Sequence, residues 1–177
     1  MSRDLAALKL KPVPESAEVL ARKAGYREVV RIDFENALAN EPCVEVRGLG
    51  IAGDNHYNTP RNPPYYVSVP GSVAELYLRK TVAAKLGDVN ARLKTIGIEL
   101  YLFDAWRPQA IQRYFHDVWF PEWLVKRQPQ LAGQVLVDEV EKYWAAPTAG
   151  ATSPSPHSTG AALDLTLMFS DTRQPLF

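Results

Sequence analysis

The chain has 177 residues, of which 46% are apolar and 23% charged, with twenty Lys and Arg balancing twenty Asp and Glu and a single cysteine, Cys43. That length buries one core without staples, while zero net charge leaves no electrostatic footprint for nucleic acid or an anionic membrane surface. One cysteine excludes an internal disulfide framework and a cysteine-rich metal site; no run spans a bilayer and the N-terminus is charged where a signal peptide must be apolar, so a cytoplasmic protein is expected.

In chain order, residues 1–14 read as a loose arm ending in Pro12 and Pro14. Glu15 to Ala24 reads as a short helix stopped by Gly25. Val29 to Asp33 and Cys43 to Arg47 read as strands, the second with Val44 and Val46 inward. From Gly48 to Gly71 the chain is rich in Gly, Pro and Asn, too long for a plain connector, so it fits either a binding loop or a wandering surface loop. Ser72-x-x-Glu75 fits a capping box, and Val73, Leu76, Ala83, Leu86 and Leu93 follow at helical spacing, which predicts one long helix ending near Gly97. Ile98 to Phe103 alternates as a half-buried strand. Pro108 then opens a helix with Ile111, Tyr114, Phe115, Val118 and Trp119 on one face, an aromatic stripe expected to be core. His116, off that stripe, reads as a solvated helix histidine. Gln134 to Trp144 predicts a further helix with Leu136, Val140 and Tyr143 inward, and 147–156 a linker. Helices and strands mix without regular alternation, which favours a single α+β domain over 1–177 with a central, mostly antiparallel sheet and helices packed on it.

The linker delivers the chain to Ser155-Pro-His157-Ser-Thr-Gly160-Ala-Ala162-Leu-Asp164. On a straight strand the odd spacing of His157 and Asp164 would send them to opposite faces, but Gly160 permits the bend that returns them to one site. Beyond it, Ala161, Leu163, Leu165 and Leu167 should take the core face, with Ala162, Asp164 and Thr166 on the other. A carboxylate in an apolar strand needs a positive partner. That partner is either a simple salt bridge, with His157 a loop histidine, or a metal held by imidazole and carboxylate. Asp104 and Arg107 sit at the strand-to-helix junction, either as a structural pair closing the turn or with Arg107 as a fixed fork for a carboxylate or an oxyanion.

Asp104-Ala-Trp106-Arg107-Pro108, followed by Ser155-x-His157-x-x-Gly160-x-Ala162-x-Asp164, resembles the zinc D-alanyl-D-alanine dipeptidases known from vancomycin resistance. That group also holds zinc D,D-carboxypeptidases and the hedgehog signalling domain. The likeness runs from about Val44 to the end, with Asp54-Asn55 similar to the family's Asp-Asn-Phe segment and Trp106 in place of its commoner tyrosine. It implies a hedgehog/D,D-peptidase-like fold and a zinc ion (Zn2+) with His157 and Asp164 as two of its three ligands. It also implies that Arg107 steadies the oxyanion, that Ser155 and Asn55 hold substrate, and that Asp104 supports Arg107 or the substrate. The implied reaction is zinc-dependent hydrolysis of the D-Ala-D-Ala dipeptide. The family completes its site with Glu-x-x-His, general base and third ligand. No such motif occurs in this sequence, and neither His56 nor His116 has a matching context. The resemblance therefore implies a truncated or split form with that segment on a second polypeptide, or absent. A D,D-carboxypeptidase or peptidoglycan peptidase of the same zinc group, and a non-catalytic binding domain, are the alternatives.

Overall fold

A computed structural model describes residues 33–147 and 154–176. The expected arm over 1–14, the helix over 15–24, the strand over 29–33 apart from Asp33 and most of the linker over 147–156 lie outside them.

The alternating run predicted as a strand forms β4 (Ile98–Asp104), the centre of a three-stranded sheet. β2 (Ala52–Gly53) pairs with it in parallel, and β5 (Asp164–Phe169) pairs antiparallel on its other side. A second, two-stranded antiparallel sheet joins β1 (Cys43–Glu45) to β3 (Tyr77–Arg79). The fold is thus α+β and mainly antiparallel, as expected, though the strands divide between two small sheets. Val46 is fully buried, as its position after Val44 predicts.

The long helix starts later than the sequence pattern suggests. α1 is Lys80–Lys94, and the Ser72–Glu75 capping box does not form. Ser72 Oγ instead donates to Val69 O (2.6 Å) and accepts from Asn58 Nδ2 (2.9 Å) in the preceding turn. Leu76 and Leu78 are both buried with one residue between them, which is strand spacing, and Leu78 pairs with Val44 across the two-stranded sheet. The helical stripe was therefore a strand joined to a shorter helix. Within α1, Asn90 faces inward: its Oδ1 accepts from Leu100 N (2.8 Å) and its Nδ2 donates to Gly50 O (3.3 Å). These bonds lock the helix to β4 and satisfy a buried amide.

One hydrophobic cluster, including Leu76, Leu78, Ala83, Leu100 and Leu102, lies between α1 and the strands. A second lies among α2 (Gln109–Tyr114), the π-helical stretch Phe115–Trp119, α3 (Phe120–Arg127) and α4 (Gly133–Glu141), with Ile111, Phe115, Leu124, Val140 and Trp144 at its heart. Pro108 caps this helical layer with extended backbone rather than occupying its first turn.

Several expected placements are corrected, beginning with Val118 of the aromatic stripe, which is exposed. Tyr143 is 72% exposed because α4 ends at Glu141; the chain turns, and Trp144 goes inside instead. His116 is not solvated: it is largely covered, with Nδ1 2.6 Å from Asp117 and Nε2 3.7 Å from Glu141 of α4. In the run leading into and along β5, Leu163 and Leu167 pack on the core, but Ala161 and Leu165 are exposed. Met168, on the other face, is buried because Pro175 and Leu176 fold back over it.

Candidate metal centre and its cavity

Two turns build the site. The first follows β4, where the register of β4 and β5 slips by one residue at Phe103 and sets Asp104 directly opposite Asp164. Two carboxylates facing across a ladder repel unless a cation joins them. Arg107 supplies it. Its Nε donates to Asp104 Oδ2 (2.8 Å), and its Nη2 lies 2.7 Å from that oxygen and 3.2 Å from Asp164 Oδ2.

The second turn is the 3-10 stretch Pro156–Thr159, which ends at Gly160 with φ +72°. A left-handed backbone there is natural for glycine, and a Cβ would come within 2.9 Å of Cys43 Sγ. This is the bend that the odd His157–Asp164 spacing requires. The two turns are stitched together by Arg107 N, which donates to His157 O (3.2 Å), and Trp106 Nε1, which donates to Ser158 O (3.1 Å), while Arg79 N of β3 anchors the second turn through Gly160 O (2.9 Å).

His157 is thereby fixed in one orientation. Its Nδ1 lies 3.0 Å from Ala105 O and 3.1 Å from Asp104 Oδ2. Both neighbours are acceptors, so Nδ1 carries a proton, and in the neutral ring Nε2 is the nitrogen that presents a lone pair. Nε2 is 3.7 Å from Asp164 Oδ1. Two ligands about 2.0–2.1 Å from one tetrahedral zinc stand roughly 3.4 Å apart, so this pair fits a shared metal with a small adjustment. The donor types, imidazole nitrogen and carboxylate oxygen, fit zinc as well. A second-sphere acceptor on the other ring nitrogen is the usual companion of a metal-binding histidine.

Asp104 lies within 4.8 Å of the other two donors, yet Oδ2 is already engaged by Arg107 and His157. It therefore sits behind His157 and Arg107 rather than open to the cavity. Its Oδ1 is buried and has no partner among the described residues.

Arg107 is itself held on every side. Nη1 donates to Gln112 Oε1 (2.6 Å), whose Nε2 donates to Ala145 O (2.7 Å), and Nη2 donates to the Tyr57 hydroxyl (3.1 Å). The guanidinium carbon sits 4.9 Å from the Tyr57 ring and 5.1 Å from the Trp144 ring. Burial alone would lower the Arg107 pKa, but Asp104, then Tyr57 and Asp164, outweigh it and the pKa rises. The charge is permanent. Burial pushes the Tyr57 and Tyr65 hydroxyls up, against the pull of Arg107, so both stay neutral.

Arg107, Ser155, His157 and Asp164 all line one cavity of about 710 Å3. Of the site residues expected from sequence, those four open onto it. Asp104 is buried behind Arg107. Asn55 stands one step further back: its Oδ1 accepts from Tyr57 N (3.1 Å), setting the loop that brings Tyr57 to Arg107. The long loop over 48–71 is thus in part a site wall, through Tyr57 and Tyr65. Tyr57, Gln112 and Trp144 were not foreseen as site residues. Only Gln112 had a sequence signal: a polar side chain beside Ile111 and three residues before Phe115, on a face that is otherwise apolar.

No helix among the described residues is long and apolar enough to cross a membrane. The chain is 38% identical over 109 residues to a D-alanyl-D-alanine dipeptidase of Synechocystis sp., a match covering 56% of this chain and 43% of that protein. The chain thus spans less than half the length of the curated relative it matches. The D-Ala-D-Ala dipeptidase family model matches residues 46–176, a span that takes in β1's last neighbour Val46, both site turns and β5. With the two turns, the fixed histidine and the bridging arginine inside that match, the chain belongs to the D-Ala-D-Ala dipeptidase family.

Proposed function

We propose that the site hydrolyses the D-Ala-D-Ala dipeptide to D-alanine with a zinc ion held by His157 and Asp164. The observation that carries this reading is His157 Nε2 facing Asp164 Oδ1 at 3.7 Å, with the Arg107 guanidinium against the same carboxylate. Two carboxylates share one arginine here, and the surplus negative charge favours a cation. Zinc bound there supplies a polarised carbonyl and a water with a pKa of about 7.

The chain's own residues do the rest. Asp104 and Ala105 O hold the histidine ring, and Arg107 offers a permanent positive charge to the carbonyl oxygen as negative charge develops on it. Ser155, nearly buried in the cavity wall, presents a hydroxyl to the substrate. Tyr57 and Trp144 cover the guanidinium and keep water from it, which strengthens its field.

A catalytic zinc normally has three protein ligands. We propose that the third ligand and the general base come from a Glu-x-x-His segment outside these 177 residues. A free dipeptide as substrate favours the cytoplasm. The size of the cavity favours, as a second reading, a D,D-carboxypeptidase or peptidoglycan peptidase of the same zinc group, which takes longer chains. A third reading is a binding domain without turnover.

The test is D-alanine release from D-Ala-D-Ala, measured with zinc and with a chelator. The chain alone should release D-alanine only with zinc, about 10²–10⁴ times more slowly than a protein that has the general base, and a polypeptide supplying Glu-x-x-His should raise the rate. Chelator-resistant release would refute the metal reading; cleavage of a muropeptide but not the dipeptide would favour the second reading, and binding without turnover the third.

A further inference from the structure

The cavity has a second end that the hydrolysis of two alanines leaves unused. Phe120 and Trp123, one turn apart on α3, stack at 5.5 Å with their planes 9° apart, and Tyr143 leans on Phe120 at 5.3 Å. Leu124 closes the patch, and all four line the same cavity as Arg107, His157 and Asp164. Glu139 and Gln128 line it too, so the end is apolar but not sealed. A cavity of about 710 Å3 falls within the range of about 300–1,000 Å3 in which pockets take drug-sized ligands. A dipeptide with two methyl side chains is far smaller and offers nothing to this apolar end.

We infer that Phe120, Trp123, Leu124 and Tyr143 form a subsite for a large apolar or aromatic side chain, so that dipeptides pairing such a residue with alanine bind better than the alanine dipeptide. This rests on the dipeptidase reading and adds a substrate class to it. Continuity with the metal centre is the argument: a side chain reaching this end belongs to a molecule whose amide lies among Arg107, His157 and Asp164. The gain follows from burial, because removing an aromatic side chain from water corresponds to about 10- to 100-fold in affinity.

The test is a calorimetric titration of the 177-residue chain, in buffer containing zinc, with D-Ala-D-Ala, D-Phe-D-Ala and D-Ala-D-Phe. One of the two phenylalanyl dipeptides should bind about 10- to 100-fold tighter than D-Ala-D-Ala, and which one does so identifies the substrate residue that enters the subsite. The ratio of dissociation constants should collapse towards one in Trp123→Ala, with circular dichroism confirming its fold. It should also fall in Tyr143→Ala, a substitution at a largely exposed ring. Two phenylalanyl dipeptides that bind no tighter than a bound D-Ala-D-Ala overturn the subsite alone, as does a preference that survives both substitutions. Binding of none of the three overturns the dipeptidase reading and the subsite together.

Discussion

At the scale of single residues, Arg107 does most to hold the site. It joins a fully buried carboxylate, Asp104, to a half-exposed one, Asp164, and is itself enclosed by Tyr57, Gln112 and Trp144. Removing it strands Asp104 in the interior, so Arg107→Ala should cost about 3–5 kcal/mol, read by urea unfolding. Arg107→Lys should recover only part of that, because an ammonium lacks the planar fork that reaches both carboxylates; full recovery would mean that charge alone matters. Asp104→Asn has a different signature. It weakens the hold on His157 Nδ1, and zinc affinity should fall about 10- to 100-fold, measured by competition with a chelating dye. Asp104, Arg107, His157 and Asp164 stood out in the sequence by their places at a strand-to-helix junction and around a glycine bend, whereas Ser155 and Asn55 were singled out by the family resemblance alone. Tyr57 and Trp144 were not legible, because an aromatic that covers a guanidinium has the same composition and periodicity as one that fills a core.

At the scale of elements, the site depends on two departures from regular structure, the register slip at Phe103 and the left-handed Gly160. Gly160→Ala must adopt a positive φ at a cost of about 1–2 kcal/mol. Thermal unfolding should show that loss, and zinc affinity should fall with it because the turn aims His157. The sequence made the bend visible, since a glycine between a histidine and an aspartate at odd spacing has few other uses. It hid the start of α1. Leu76 and Leu78 satisfy a strand and nearly satisfy a helix, and only pairing with β1 decides between them. That pairing is secured by Glu45, whose Oε1 accepts from Arg47 Nε (2.8 Å) and Leu76 N (3.3 Å) while Oε2 accepts from Gly48 N (3.1 Å). Burial works to raise its pKa, but Arg47 and these amides hold it below the ordinary value of 4.5. A depressed carboxylate contributes stability that is present above its unfolded pKa and is lost as pH falls through the folded one. Glu45→Gln should therefore lower stability at pH 7 and make the curve shallower below about 4.5, as followed by urea unfolding across pH. An unchanged acid limb would remove Glu45 from the account.

At the scale of the whole molecule, the candidate metal centre lies where two packed layers meet. β4 and β5 supply Asp104 and Asp164, with the His157 turn leading into β5, while the helical layer supplies Gln112, Trp144 and the far end of the cavity. The α+β class was legible from the mixture of strand and helix periods, whereas the split into two small sheets was not, because pairing partners leave no periodicity. Tyr143 and Leu165 were misplaced for a related reason: a helix that ends early and a ladder beside a register slip each break the pattern that assigns a face. The account stands on His157 and Asp164 sharing one metal. Calorimetric titration of zinc into the chain and into His157→Ala and Asp164→Asn tests that most directly. The account predicts one saturable zinc per chain, lost or weakened by at least tenfold in each variant. Saturable binding that neither substitution disturbs, or no saturable binding at all, would contradict it.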